Sequence, residues 1–182
     1  MKIKLTNVRL AFPQLWEAKT VNGEGKPAFS ASFLLAPDHP DVARLNAAID
    51  AVAREKWGAK ADAVLKAMRG ADKVCLHDGD MKENYDGFGG NLYVSSRSAT
   101  RPLVIDADRS PLVEKDGKPY AGCYVNASIE LWPQDNNYGK RVNASLRGVQ
   151  FLRDGDAFAG GAPASEDEFD DVSAGADAEA LT

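Results

Sequence analysis

The stretch Cys123-Tyr-Val-Asn-Ala-Ser-Ile-Glu-Leu-Trp132 alternates apolar and polar residues over ten positions. Successive side chains of a β-strand point to opposite faces, so this alternation predicts a strand whose apolar face is buried. After the loop 133–140, Val142-Asn-Ala-Ser145 repeats the four-residue word Val125-Asn-Ala-Ser128. Two patterned strands separated by one polar loop predict an antiparallel hairpin.

The polar face of this hairpin also carries large aromatic and basic side chains. Tyr124 and Trp132 lie on that face of the first strand, and Arg147 lies on that face of the second. Two further residues, Tyr93 and Arg97, point outward from a strand predicted earlier in the chain. The loops next to these strands add Tyr85, Phe88, Tyr138, Lys140 and Arg141. Interleaved aromatic and cationic residues are typical of a surface that stacks bases and holds the phosphates of single-stranded nucleic acid.

The same pattern has a purely structural alternative. A sheet can be covered on both faces, and Tyr124 and Trp132 would then pack beneath a helix or a loop. The pattern alone leaves both interpretations open.

The rest of the body predicts further strands and one helical pair. Residues 3–12 alternate, but the register slips by one between Leu5 and Val8, which predicts a bulged strand with Phe12 on its apolar face. Turn residues at 22–27 then predict a hairpin with a second strand that ends at Leu35. Helical periodicity follows over about 40–70, and strand signals return from Val74 onward. The fold class is therefore mainly β (α+β), with an inserted helical pair.

Charge divides the chain into two parts. The formal net charge is −5, from 22 Lys and Arg against 27 Asp and Glu. Every basic residue lies at or before Arg153, whereas eight of the acids lie at or after Asp156. The body is therefore +3 and the C-terminal part −8. Such asymmetry indicates a protein that meets other polyanions or basic surfaces.

Residues 155–182 are rich in Ala, Gly, Ser and acidic residues and have few large apolar side chains. A segment of this composition buries too little apolar surface to fold. We therefore expect a single domain over 1–154 and a disordered acidic tail over 155–182. The tail either takes part in binding or keeps the protein in solution.

Several function classes find no support in the residues. No run of about 18 apolar residues predicts a membrane helix, and Met1–Thr6 lacks the apolar stretch of a signal peptide, so we expect a cytoplasmic protein. Cys75 and Cys123 are far apart and predict buried core residues, with no disulfide framework and no zinc site. No nucleotide-binding fingerprint is complete, so we expect no cofactor.

Four aspartates leave one enzymatic alternative open. Asp78, Asp80, Asp106 and Asp108 are carboxylates of the kind that bind the metal ions of a two-metal nuclease. D-G-D and D-A-D are also ordinary turn sequences, and the residues expected of a calcium-binding loop that starts at Asp78 are absent. We therefore expect no catalytic residues and no metal site, and keep the nuclease as an alternative.

Three segments of the chain resemble a family of bacteriophage single-stranded DNA-binding proteins, long catalogued as a domain of unknown function. They are Leu76-His-Asp-Gly-Asp80, Tyr120-Ala-Gly-Cys-Tyr-Val-Asn-Ala-Ser128 and Gly139-Lys-Arg-Val-Asn-Ala-Ser-Leu-Arg-Gly-Val-Gln-Phe151. The resemblance implies an OB-fold, which is a small, strongly curved β-barrel, with single-stranded DNA in a groove across the barrel face. It also implies that the acidic tail occupies this groove without DNA and recruits replication partners.

The tail departs from the bacterial form of this pattern. Its end, Ala178-Glu-Ala-Leu-Thr182, is not an acidic tip that closes in Pro-Phe, and Phe169 within Glu166–Asp171 is the nearest substitute. Of the two roles that the resemblance implies for the tail, recruitment of partners therefore has less support from the residues than occupation of the groove.

Together these features predict a non-catalytic, sequence-independent single-stranded DNA-binding protein of phage DNA replication or recombination, located in the host cytoplasm. Its expected partners are single-stranded DNA and, through the tail, replication or recombination proteins; a homo-oligomer is left open. The alternatives are a phage structural or assembly protein, whose exposed aromatics would contact another subunit, and the metal-dependent nuclease.

Overall fold

The computed structural model of the protein describes residues 1–21, 23–158 and 169–173. These residues contain seven strands and two α-helices. The strands are β1 Lys2–Val21, β2 Glu24–Leu35, β3 Leu76–Asp78, β4 Leu92–Ser98, β5 Leu103–Ile105, β6 Tyr124–Asn136 and β7 Gly139–Arg153. The helices are α1 Pro40–Trp57 and α2 Ala61–Gly70, and neither is both long and apolar enough to cross a membrane.

Five strands close into a barrel in the cyclic order β1-β2-β4-β7-β6. Neighbouring strands are antiparallel except β4 and β7, which meet in parallel at Arg97 and Ser145. The short strands lie outside this ring, β3 beside β4 and β5 beside β7. A five-stranded Greek-key barrel of this kind is an OB-fold, so the predicted fold class is confirmed.

The first strand is bent twice. The register shifts between Leu5 and Val8, where Asn7 has a φ of 55°, so the predicted bulge is confirmed. A second shift lies between Ala11 and Gln14, where Phe12 has a φ of 48°. At this second irregularity Phe12 leaves the barrel core and is 46% exposed, so the prediction that Phe12 lies on the buried face is wrong.

In the β6–β7 hairpin the apolar residues of the alternating pattern are buried, as predicted. Every second residue from Val125 to Leu131 is buried, and so are Val142, Ala144 and Leu146 of β7. Both cysteines are buried and unpaired, and burial raises the pKa of Cys75 to about 12 and that of Cys123 to about 11. Both thiols therefore stay protonated at neutral pH.

The helical pair covers one end of the barrel. Leu45, Ile49 and Val52 form the buried face of α1, and Leu65 and Met68 that of α2. At the end of α1, the indole N–H of Trp57 donates a hydrogen bond to Asp135 Oδ2 at 2.9 Å. The insertion thus contacts the tip half of the β6–β7 hairpin as well as the core.

The packed body extends beyond the boundary that the sequence predicts at residue 154. Residues 155–158, assigned above to the disordered tail, lie against the barrel, and Phe158 is buried. The glycine- and alanine-rich composition hides this contact, because Phe158 is the only aromatic residue of the segment 155–158 and the other contacts are made by backbone groups. The remaining tail prediction concerns 159–182, of which 159–168 and 174–182 lie outside the described residues.

Candidate nucleic-acid interface

A groove of about 680 Å³ crosses the outer face of β2 and β4. Its floor is made of small residues, with Ala28, Ser30 and Ser32 from β2 and Ser95 from β4. The β1–β2 and β6–β7 hairpins form its sides, since Lys19, Gln134 and Asn143 also line it. A shallow floor of short side chains lets the backbone of an extended ligand lie close to the sheet.

Five cationic side chains line the groove, and within the part of the chain that the structure describes no Asp or Glu does. The five are Lys19, Lys73, Lys82, Arg97 and Arg141. None of them takes part in the ion pairs found between described residues. Unpaired charges of one sign in a concave surface focus the electrostatic field and attract a polyanion.

Two aromatic rings stand exposed at the groove. Trp132 is 42% exposed and Phe12 is 46% exposed, and both line the groove wall. The Phe12 ring meets the ring of Tyr85 edge-on at 5.1 Å and tilts against Phe88 at 5.6 Å. An exposed ring held by neighbouring rings is a rigid surface on which a base can stack.

A hydrogen-bonded histidine connects the groove to the sheet behind it. His77 contacts Asp72 Oδ1 through Nδ1 at 2.6 Å and Ser95 Oγ through Nε2 at 2.8 Å. Its ring stacks on Tyr93 at 4.7 Å. Burial, together with the nearby charge of Asp72, raises the pKa of the Tyr93 hydroxyl, so that group stays neutral. These contacts hold β3 against β4 along one side of the groove.

Three of the predicted binding residues, Arg97, Trp132 and Arg141, meet in the groove. Two other predicted cations have carboxylate partners instead. Lys140 Nζ lies 3.7 Å from Asp135, and Arg147 Nη1 lies 2.9 Å from Glu130. Neither lines the groove, because each is turned toward a neighbouring acid of β6.

The predicted aromatics are spread over separate parts of the surface. Tyr138 is exposed at the turn between β6 and β7, and Tyr85 is exposed beside Phe12. Tyr124 begins β6, and its ring centre lies 3.7 Å from the guanidinium carbon of Arg153 and 5.6 Å from that of Arg9. At about 3.3 Å per residue, it lies about 26 Å along the strand from Trp132. The structure therefore does not bring Tyr124 into the groove.

The expected exposure of Phe88 and Tyr93 is wrong. They are 1% and 5% exposed, because they form a second apolar cluster outside the barrel with Phe158 and other residues. Tyr93 does point outward from β4, as the alternation predicts, but the loop 79–91 covers it. Both rings support the groove from beneath and do not face it.

Sequence patterns missed three of the five groove cations and one of its two exposed aromatic rings. Phe12 was assigned to the core, and Lys19, Lys73 and Lys82 lie where the strand alternation has stopped. Lys82 has a further contact, since its Nζ is 5.2 Å from the ring centre of Tyr93. Only the bend at Phe12 and the course of the loops bring these side chains together.

The four aspartates of the nuclease alternative accept hydrogen bonds from nearby protein groups. Asp78 accepts a hydrogen bond from the Asp80 N–H, and Asp80 accepts one from the Gly90 N–H. A hydrogen bond from Lys118 lowers the pKa of Asp106, and one from Ser110 lowers that of Asp108. Among the described residues, no group of three or more His, Cys, Asp or Glu is placed to hold a metal ion.

The model of the family described as "Enterobacter phage Enc34, ssDNA-binding protein" matches residues 1–181. The chain belongs to this family. A curated relative, "Putative protein p50" of Acyrthosiphon pisum secondary endosymbiont phage 1, is 52% identical over 184 residues, which are 100% of this chain and 99% of the relative.

Solved structures of the Enc34 protein are also similar to this chain. The Enc34 single-stranded DNA-binding protein in complex with ssDNA is 27% identical, with a TM-score of 0.72 over 86% of this chain and 88% of that one. A second structure of the Enc34 protein has a TM-score of 0.70 at 27% identity, over 93% of this chain and 90% of that one. The ssDNA-binding protein gp2.5 of bacteriophage T7 shares the fold, with a TM-score of 0.57 at 15% identity over 93% and 97% of the two chains.

Proposed function

We propose that this protein binds single-stranded DNA in the groove across β2 and β4, without sequence preference and without catalysis. The observation that carries the proposal is the set of five cations that have no carboxylate partner among the described residues, in a groove that also holds two exposed aromatic rings. In OB-folds, the face made by the second and third barrel strands and the two flanking hairpin loops is the usual place for an oligonucleotide. Membership of a family named for ssDNA binding supports it.

The groove chemistry favours binding that tolerates any sequence. Cations contact phosphates, which are the same in every nucleotide, and aromatic rings stack on any base. We place the activity in phage DNA replication or recombination in the host cytoplasm, where single strands are exposed.

The first prediction is that a labelled oligo-dT binds with an affinity that falls steeply as salt rises. Each phosphate contact on a single strand contributes about −0.7 to the slope of log K against log salt, so five contacts give about −3.5. Fluorescence anisotropy at several salt concentrations measures the slope, and a duplex of equal length is the control. Absence of binding at low salt, or equal affinity for the duplex, would contradict the proposal.

The second prediction concerns the acidic tail, which we propose competes with DNA for the groove. A chain that ends at Phe158 loses seven of the eight tail acids but keeps the packed residues 155–158. We expect it to bind oligo-dT more tightly than the full chain at low salt, because an intramolecular polyanion no longer occupies the cations.

The matched control keeps the tail length but changes its seven acids to Asn and Gln. Equal gains in both variants assign the effect to charge, whereas unchanged affinity in both would leave the tail with only a solubilising or recruiting role. For recruitment, the exposed Phe169 and Val172 are the apolar side chains that we propose contact replication or recombination proteins.

A further inference from the structure

Phe158 does not line the groove, but it is buried in the apolar cluster that it shares with Phe88 and Tyr93. We propose that Phe158 is a positioning residue for DNA binding, which holds the rim formed by Phe12 and Lys82 in place. This inference rests on the proposed function of the groove. It assigns residues 155–158 to the binding domain itself.

The segment that carries Phe158 is fixed to the barrel by directed contacts. Its backbone N–H donates to the Ala121 carbonyl oxygen at 3.0 Å, and Arg9 Nη2 donates to the Asp156 carbonyl oxygen at 2.8 Å. The Arg9 guanidinium also lies 4.4 Å from the centre of the Phe158 ring. One arginine therefore holds both the backbone and the ring of the segment.

The barrel surface is shaped to receive this segment. Gly87 has a φ of +82°, and a Cβ there would lie 2.6 Å from the Phe158 ring. Gly122 has a φ of +102°, and a Cβ there would collide with the Asp156 carbonyl oxygen. Any larger residue at either place would push the segment away, so the close fit depends on both glycines.

The second apolar cluster connects Phe158 to the groove. Phe158 shares the second apolar cluster with Phe88 and Tyr93, whose ring centres are 5.0 Å apart. Phe88 lies 5.6 Å from Phe12, and Tyr93 lies 5.2 Å from Lys82 Nζ. Because Phe12 and Lys82 line the groove, a void at Phe158 removes the support beneath both.

The test is made in the full chain with Phe158→Ala, Phe158→Val and Phe158→Leu. We expect Phe158→Ala to weaken oligo-dT binding about 5- to 10-fold, since one stacking surface and one phosphate contact lose their geometry but remain present. The salt slope should become shallower by up to about 0.7, the contribution of one cation. Phe158→Leu should restore most of the affinity, because it refills the cluster. Circular dichroism and the melting temperature report whether each variant folds. If Phe158→Ala does not fold, Phe158→Val takes its place in the comparison.

A double-mutant cycle with Lys82→Gln separates positioning from general stability. If Phe158 acts through Lys82, Lys82→Gln costs less affinity in the Phe158→Ala background than in the natural one. Full additivity with an unchanged salt slope would overturn the inference, as would natural affinity in a folded Phe158→Ala protein. The single variants Lys82→Gln and Arg97→Gln test the groove itself. If neither changes the affinity for oligo-dT, the proposed function is wrong. If both weaken binding and a folded Phe158→Ala protein does not, only the positioning role of Phe158 is wrong.

Discussion

Trp132→Ala is expected to weaken oligo-dT binding about 5- to 150-fold while leaving the salt slope unchanged, since stacking on one aromatic ring contributes about 1–3 kcal/mol per base. Trp132 is exposed, lines the groove and carries no charge, so its removal takes away a stacking surface and no phosphate contact. Anisotropy titrations at two or more salt concentrations measure both quantities. Trp132→Phe should retain an intermediate affinity.

The matched control is Tyr124→Ala on the same strand. Its ring contacts the guanidinium groups of Arg9 and Arg153 and does not line the groove, so we expect oligo-dT affinity close to that of the natural protein. Equal losses in the two variants would place the DNA along the whole outer face of β6 and contradict the assignment to the groove.

Arg97→Gln combined with Arg141→Gln is expected to reduce affinity about 25-fold at 0.1 M salt. Two lost phosphate contacts change the slope of log K against log salt by about 1.4. Between about 1 M salt, where these contacts contribute little, and 0.1 M salt, this difference in slope amounts to about 25-fold in affinity. Both side chains line the groove, and neither forms an ion pair with another residue that the structure describes, so their replacement leaves the ion pairs of the barrel intact. The same titrations measure the loss, which should shrink as salt rises.

The control removes the same number of charges from Lys140 and Arg147, which are paired with Asp135 and Glu130. Their replacement by Gln should leave the salt slope nearly unchanged, because these cations are not free to meet phosphates. If both double variants lost affinity equally, net charge and not the groove would govern binding.

Much of the fold could be predicted because its signals are local. The alternation in β6 and β7 identifies the buried face of the hairpin, and the one-residue slip after Leu5 identifies the bulge at Asn7. These patterns depend only on the period of two in a strand, which neighbouring residues report directly.

The candidate site could be predicted less completely from the sequence, since its composition depends on contacts between residues that are distant in the chain. Arg141 and Lys140 are adjacent in sequence, yet the first lines the groove and the second pairs with Asp135 across the hairpin. Phe12 faces the groove only because a left-handed residue interrupts the alternation of β1. The sequence period cannot report such an interruption, nor the burial of Phe88 in a cluster with Phe158.

The hydrogen bond between Trp57 and Asp135 affects the entropic cost of binding. It lowers the pKa of Asp135, so the contact is fully present at neutral pH and is lost only when acid protonates the carboxylate. The helical insertion therefore fixes one wall of the groove before any ligand arrives. A wall that is already ordered loses little conformational entropy on association, so more of the interaction energy appears as affinity.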